Sequence, residues 1–78
     1  MKNITIHRCP ICEEIKAHTD QVSEALRQEG FNVEIVDGTR GEFSVWMGKL
    51  ELARNLLELP SPETVVASAH HAEEAVLS

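Results

Sequence analysis

The chain has 78 residues, of which 42% are hydrophobic, and its 7 Lys and Arg against 13 Asp and Glu give a formal charge of −6. This length accommodates one small domain, residues 1–78, and excludes a two-domain enzyme. The excess of acidic residues argues against nucleic-acid binding, which needs clustered Lys and Arg. The aromatic residues, two Phe and one Trp, are too few for a surface on which bases stack. No run approaches ~20 apolar residues, so we expect no membrane partner.

The first half of the chain predicts a strand, a helix and a second strand. Residues 3–7 alternate apolar and polar side chains, which is typical of a half-buried strand. A helical pattern follows the C-P-I-C motif at residues 9–12 and ends at Gly30. The apolar stripe of this helix is Ile11, Ile15, Val22, Ala25 and Leu26. Alternation returns at residues 32–36 and predicts the second strand.

The next segment predicts two more strands joined by a tight turn. Residues 42–47 alternate strongly, and the inward side chains of this third strand are Phe43, Val45 and Met47. Gly48–Lys49 fits a two-residue hairpin turn with glycine first. The fourth strand then begins at Leu50.

The last segment predicts a loop and a second helix. Residues 54–61 form the loop, whose leucines are Leu56, Leu57 and Leu59. We expect these leucines to cover the core; the alternative is that they form a partner surface. Ser61 is the predicted N-cap and Pro62 the first helical residue. The apolar stripe of this helix is Val65, Val66, Ala69, Ala72 and Val76.

These elements give the order β-α-β-β-β-α and an α/β fold. Because every predicted strand has one apolar face, we infer a two-layer sandwich with both helices on one side of a four-stranded mixed sheet. The first two strands, joined through a helix, should be parallel with a right-handed crossover. We expect the remaining strand pairs to be hairpins.

Both cysteines of the chain, Cys9 and Cys12, lie in one C-x-x-C motif at the junction of the first strand and the first helix. In this context the motif indicates a redox dithiol. Free backbone N–H groups at a helix start stabilise a thiolate, Pro10 suits the first helical position, and Arg8 adds positive charge. We expect Cys9 to be the exposed attacking thiol and Cys12 to resolve the mixed disulfide.

Two other functions are consistent with the same residues. His7 with Cys9 and Cys12 could bind or deliver a metal, although structural zinc usually takes four protein ligands. Alternatively, the chain is an interaction domain with an incidental dithiol, which binds a partner through the open face of the sheet. Strand alternation places Trp46 on that face, together with Val36.

The other three histidines, His18, His70 and His71, fall on the predicted helices. We interpret all three as solvated side chains. His70 and His71 could join a metal site only if the second helix reached the first loop.

Several segments together resemble the selenoprotein W-like (Rdx) family. They are the C-x-x-C after the first strand, the long helix, residues 38–45, the turn at Gly48–Lys49 and the helix start at residues 60–63. The resemblance covers nearly the whole chain and implies a thioredoxin-like fold. It aligns Cys9 with the first cysteine of the family and Cys12 with the position where some members carry selenocysteine. This alignment implies Cys12 as nucleophile, so the choice between the cysteines stays open.

Glutaredoxins provide the second resemblance, since C-P-I-C is similar to their active-site tetrapeptide. Their Thr-Val-Pro-like segment, which carries a cis-proline facing the dithiol, has no counterpart here, because residues 40–45 contain no proline. The glutathione clamp of that family is therefore not predicted.

The sequence thus predicts a small thiol–disulfide protein, a possible oxidoreductase. Only two cysteines, both in one motif, argue against a secreted disulfide framework, and the N-terminus lacks the apolar core of a signal peptide. We therefore expect a cytoplasmic monomer without a bound cofactor. Its expected partners are protein thiols and disulfides or glutathione.

Overall fold

The computed structural model describes residues 3–55 and 58–77, and its elements follow the predicted order. They are β1 (Asn3–Arg8), α1 (Glu13–Gln28), β2 (Asn32–Asp37), β3 (Phe43–Met47), β4 (Leu50–Arg54) and α2 (Pro62–Leu77). The described part of the chain forms one four-stranded mixed sheet with two helices, as expected of a thioredoxin-like sandwich. None of the described helices has the length and apolar composition that crossing a membrane requires.

The strand order is β2-β1-β3-β4, which corrects one prediction about pairing. The parallel β1–β2 pair and the β3–β4 hairpin are confirmed. A hairpin between β2 and β3 was wrong, because β3 pairs antiparallel with β1 instead. Burial explains this order: Ile4 and Ile6 of β1 are 1% and 0% exposed, so β1 occupies an inner position and β2 an edge.

This strand order makes residues 38–42 cross over the carboxyl end of β1. At the start of the crossing, the Gly38 N–H donates to the Arg8 carbonyl at 2.7 Å. At its end, the Cys9 N–H donates to the Glu42 carbonyl at 2.8 Å. The turn between β2 and β3 is thereby bound to the segment that carries the first cysteine.

The core lies between the sheet and the two helices, which also pack on each other. Its buried apolar side chains are Ile4, Ile6, Cys9, Ile15, Val22, Leu26, Phe31, Phe43, Val45, Met47, Val65, Ala69 and Ala72. The inward side chains predicted for β3 are confirmed, and Leu59 and Val66 pack against this core. Leu56, Leu57 and the side chain of Val76 lie outside the described residues.

The start of α1 differs from the prediction. The helix begins at Glu13, and Ile11, expected on its buried stripe, is 66% exposed. In this motif Cys9 belongs to the buried core, and Cys12 packs against it. By contrast, the start of α2 is confirmed, because the Ser61 hydroxyl accepts the Thr64 N–H at 3.2 Å.

Candidate dithiol site

The two cysteines flank the connection between β1 and α1. Cys9 directly follows β1, Cys12 is the N-cap residue of α1, and both are free thiols. Cys9 is 0% exposed, whereas Cys12 is half-buried, so the prediction of an exposed Cys9 was wrong. The Cys9 side chain belongs to the buried core, and its backbone N–H donates to the Glu42 carbonyl at the end of the crossing of residues 38–42.

The two sulfur atoms share a hydrogen bond, and this bond shifts their two pKa values in opposite directions. Burial raises the pKa of Cys9, but hydrogen bonds from the Cys12 thiol and from nearby backbone N–H groups outweigh it and lower the pKa to about 7. The same sulfur–sulfur hydrogen bond, together with burial, raises the pKa of Cys12 above its ordinary value. The pair therefore loses one proton near neutral pH and shares a single negative charge.

The turn between β2 and β3 supplies groups to both sulfur atoms. The backbone N–H of Gly41 hydrogen-bonds the sulfurs of Cys9 and Cys12 and lowers the pKa of both. The positive charge of Arg40 also lowers the pKa of Cys12. Neither Arg40 nor Gly41 was predicted as part of the site. The two glycines, Gly38 and Gly41, predicted a turn at this point of the chain. That the turn lies beside the dithiol follows only from the strand order.

The residues predicted to support the dithiol have other immediate partners. Arg8 forms an ion pair with Asp37 of β2, with 3.2 Å between Nη1 and Oδ1. The positive charge that lowers the pKa of Cys12 is that of Arg40. Pro10 is half-buried in the turn between the cysteines and, contrary to prediction, does not occupy the first helical position, because α1 begins three residues later.

Glu42 holds the turn in shape. Its Oε1 accepts the Thr39 N–H at 2.8 Å, and its Oε2 accepts the Ser44 hydroxyl at 3.3 Å. The hydrogen bond from the Thr39 backbone is the main cause that lowers the pKa of this carboxyl. Gly38 is packed so closely that a Cβ there would collide with the Glu42 carboxylate and lie 3.3 Å from the backbone nitrogen of Arg8.

Trp46 and Val36, the predicted partner surface, lie on either side of β1. Val36 is opposite His7 in the β1–β2 register, and Trp46 is opposite Thr5 in the β1–β3 register. Both side chains are half-buried. The Trp46 indole donates to the Ser44 hydroxyl at 3.0 Å, and its ring meets His7 edge-on at 6.5 Å. Partner binding by this face stays a prediction.

The histidines do not join the cysteines. Within residues 3–55 and 58–77, no three His, Cys, Asp or Glu side chains form a group that could hold a metal ion. His7 contacts Trp46, and His70 contacts Glu29, just beyond the carboxyl end of α1 and away from Cys12.

The prediction that His18 is solvated was wrong. This side chain is half-buried, and its Nε2 lies 2.5 Å from the Pro60 carbonyl oxygen, to which it donates as the Nε2–H tautomer. Its ring also meets Phe43 edge-on at 5.3 Å. His18 therefore joins α1 to the loop that precedes α2.

Comparison with known proteins adds no relative to this picture. No family model, no curated protein and no solved structure matches the chain. Membership of the selenoprotein W-like family therefore stays a prediction.

Proposed function

We propose that the protein is a thiol–disulfide exchange protein whose Cys9 and Cys12 cycle between dithiol and disulfide. The observation that supports this function best is a pair of free, hydrogen-bonded sulfurs, one of them at the N-cap of a helix, that shares one negative charge near neutral pH. Only the thiolate is the nucleophile in disulfide exchange, so a pKa of about 7 keeps a large fraction of the pair reactive.

Accessibility favours Cys12 as the attacking sulfur. Cys9 is fully buried, whereas Cys12 is half-buried beside the exposed side chain of Ile11. Cys12 is also the N-cap residue of α1, a position at which the N–H groups of the first turn of a helix generally favour negative charge. The Cys12 thiol donates a hydrogen bond to the Cys9 sulfur, so transfer of that proton to Cys9 places the charge on Cys12, where a substrate can reach it.

The first step forms a mixed disulfide. The Cys12 thiolate attacks one sulfur of the substrate disulfide, a new S–S bond forms, and the substrate S–S bond breaks. The leaving sulfur departs as a thiolate and takes up a proton from water.

The second step closes the Cys9–Cys12 disulfide. Cys9 loses its proton and attacks the Cys12 sulfur, and the second substrate thiolate leaves. The substrate has gained two electrons and two protons, and the protein dithiol has lost the same number. A second dithiol or two thiols, in a protein or as glutathione, restore the reduced state by the reverse exchange.

The remaining properties follow from this chemistry. The sulfurs themselves carry the electron pair, so we propose that the cycle uses no bound cofactor. We also propose a cytoplasmic location, because a dithiol reductant needs a compartment that keeps thiols reduced. We propose that the protein acts there as a monomer.

Trapping of the mixed disulfide tests the proposed function. The Cys9→Ser variant removes the resolving thiol, so incubation with hydroxyethyl disulfide should leave a stable adduct on Cys12, visible by intact-mass spectrometry. The matched Cys12→Ser variant should label far more slowly, because its one sulfur is buried. Faster labelling of Cys12→Ser would reverse the roles of the two cysteines, and no labelling of either variant would refute the exchange function.

A further inference from the structure

The sheet has two edge strands, β2 and β4, and their outer edges differ. Within the described part of the chain, β2 pairs only with β1, and β4 pairs only with β3. The outer edge of such a strand presents N–H and C=O groups that can pair with another strand. Each edge is therefore either blocked by its side chains or able to accept one more strand.

The β2 edge carries charged groups that block strand pairing. The side chain of Glu34 is exposed in the middle of this strand. Arg27, in the last turn of α1, reaches the same strand, and its Nη2 donates to the Val33 carbonyl at 3.5 Å. Charged side chains along an edge strand oppose the approach of a further strand. We therefore expect no partner strand at β2.

The β4 edge presents apolar side chains instead. Leu50, its first residue, is 48% exposed, and Leu52 is half-buried. The two charged side chains of β4 neutralise each other, because Nε and Nη2 of Arg54 donate to the two carboxylate oxygens of Glu51 at 2.5 and 2.7 Å. The charges of β4 therefore do not oppose an incoming strand as those at β2 do.

An open groove of about 560 Å³ lies between β4 and α2. Leu50 and Leu52 line its strand side, and its helix side is lined by Ala67, Ser68, His71 and Ala72. The small side chains of α2 leave this space unfilled. Because successive side chains of a strand point to opposite faces, every second side chain of a strand added to β4 would enter the groove.

The direction of β4 brings this edge to the dithiol end of the sheet. Because β3 is antiparallel to β1 and β4 is antiparallel to β3, β4 runs in the same direction as β1. Cys9 follows β1, and Asn55 follows β4 and donates from its side chain to the Gly41 carbonyl at 3.2 Å. Three strand spacings place an added strand about 14 Å from β1. A protein bound at β4 is thus held beside the dithiol.

We infer that the outer edge of β4 and the groove between β4 and α2 bind an extended, uncharged apolar segment of a partner protein, which adds to the sheet as a fifth strand. Main-chain hydrogen bonds hold such a segment, and its alternate side chains fill the groove. A second copy of this chain fits less well, because each copy carries a formal charge of −6 and the copies repel. Binding at β4 needs neither cysteine, so the inference goes beyond the exchange function.

Titration of ¹⁵N-labelled protein with a synthetic peptide tests this inference. The probe is a heptapeptide of alternating Thr and Val with blocked termini. On binding, the amide signals of residues 50–54 and 67–72 should shift, whereas those of residues 32–37 should not. The same peptide with two Pro at its centre loses N–H groups on both of its edges, so it should bind about tenfold more weakly or worse.

Two groove variants with matched controls locate the site. Leu50→Lys places a charge at the β4 edge, and Ala67→Arg fills the groove from α2, so each should weaken peptide binding by about tenfold or more. The controls, Glu34→Lys on β2 and Ala17→Arg on α1, change exposed positions and should bind as the wild type does. Ala17 and Ala67 each follow a glutamate by four residues, so both new arginines have the same charged neighbour. Circular dichroism confirms that every variant is folded.

The outcomes separate this inference from the proposed function. The inference is overturned if about 1 mM peptide leaves the β4 signals unchanged, if the shifts follow β2, or if folded Leu50→Lys and Ala67→Arg bind as the wild type does. Dimerisation of the wild type that Leu50→Lys abolishes would assign the edge to a second copy and overturn it as well. The Cys9→Ser/Cys12→Ser variant should still bind the peptide, so a failure at β4 leaves the exchange function standing.

Discussion

The two helices have the same length, 16 residues each, but they begin in different ways. Helix α2 follows Ser61, whose hydroxyl accepts the Thr64 N–H at 3.2 Å. Helix α1 follows Cys12, whose side chain makes no capping hydrogen bond. The sequence thus places a good capping residue at one helix and a poor one at the other.

The N-cap of α2 stabilises its helix, whereas the N-cap of α1 supplies a sulfur for the proposed chemistry. A serine N-cap contributes about 1 kcal/mol, and α1 forgoes most of this with a cysteine. In return, position 12 carries the half-buried sulfur that we propose as the nucleophile, next to first-turn N–H groups that no capping side chain bonds. A capping hydroxyl at position 12 would satisfy one of these donors and remove the nucleophile.

Removing the dithiol should have the largest effect. The double variant Cys9→Ser/Cys12→Ser should lose all disulfide exchange, because serine forms no S–S bond. Ser61→Ala, which alters only the start of α2, should keep the wild-type rate. Reduction of a peptide disulfide, followed by chromatography with stoichiometric protein, measures both variants. Exchange by the double serine variant would contradict the account and favour an incidental dithiol.

Substitutions in the turn of residues 38–42 should have the next largest effect. Gly38→Ala places a Cβ where the Glu42 carboxylate lies and close to the Arg8 backbone nitrogen, so the carboxylate must move away from the Thr39 N–H that it accepts, and the free energy of unfolding should fall by about 2 kcal/mol. Gly41→Ala meets no atom within 4 Å and should cost only the backbone strain of a positive φ, about 1 kcal/mol. Urea unfolding of the reduced proteins gives both values. A larger loss for Gly41→Ala than for Gly38→Ala would show that the turn is not packed as described.

Substitutions at the two N-cap positions test the comparison between the starts of α1 and α2. Ser61→Ala should destabilise the protein by about 1 kcal/mol, because the Thr64 N–H loses its partner. Cys12→Ser should be more stable than Cys12→Ala by about 0.5 kcal/mol, because serine can cap α1. Thermal unfolding under reducing conditions measures both pairs. Equal stabilities of Cys12→Ser and Cys12→Ala would mean that a side chain at position 12 cannot reach the helix N–H groups.

The smallest effect concerns the pH dependence of stability at Glu42. Hydrogen bonds lower the pKa of this carboxyl in the folded protein below its ordinary value of 4.5. Its contribution to stability is therefore present above pH 4.5 and is lost as the pH falls through the folded pKa. Glu42→Gln should narrow the difference in unfolding free energy between pH 6 and pH 3. Glu24→Gln, at an exposed position of α1, is the control and should leave that difference as in the wild type.

The sequence predicted what periodicity and local capping determine. Alternation at Phe43, Val45 and Met47 gave the buried face of β3, and Ser61 with Pro62 gave the start of α2. These features depend on residues that are close in sequence. The same local information located the C-x-x-C between a strand and a helix.

Long-range pairing accounts for what the sequence did not predict. Neighbouring strands with a glycine turn favour a hairpin, but the burial of β1 places β3 on its other side. That single change carries residues 38–42 past the end of β1, joins Glu42 to the Cys9 backbone, and brings Arg40 and Gly41 close enough to change the pKa values of the cysteines. The positions of Asn55 and His18 likewise depend on contacts across the fold, which no local pattern encodes.

The reduction potential of the Cys9–Cys12 pair tests the central claim most directly. The metal-free protein is equilibrated in glutathione buffers of graded ratio, and free thiols are counted after acid quenching. A reversible two-electron transition between roughly −120 and −270 mV, the range of known thiol–disulfide oxidoreductases, is the predicted result. Failure to form the intramolecular disulfide at any buffer ratio, or isolation of the protein with a stoichiometric metal, would contradict it.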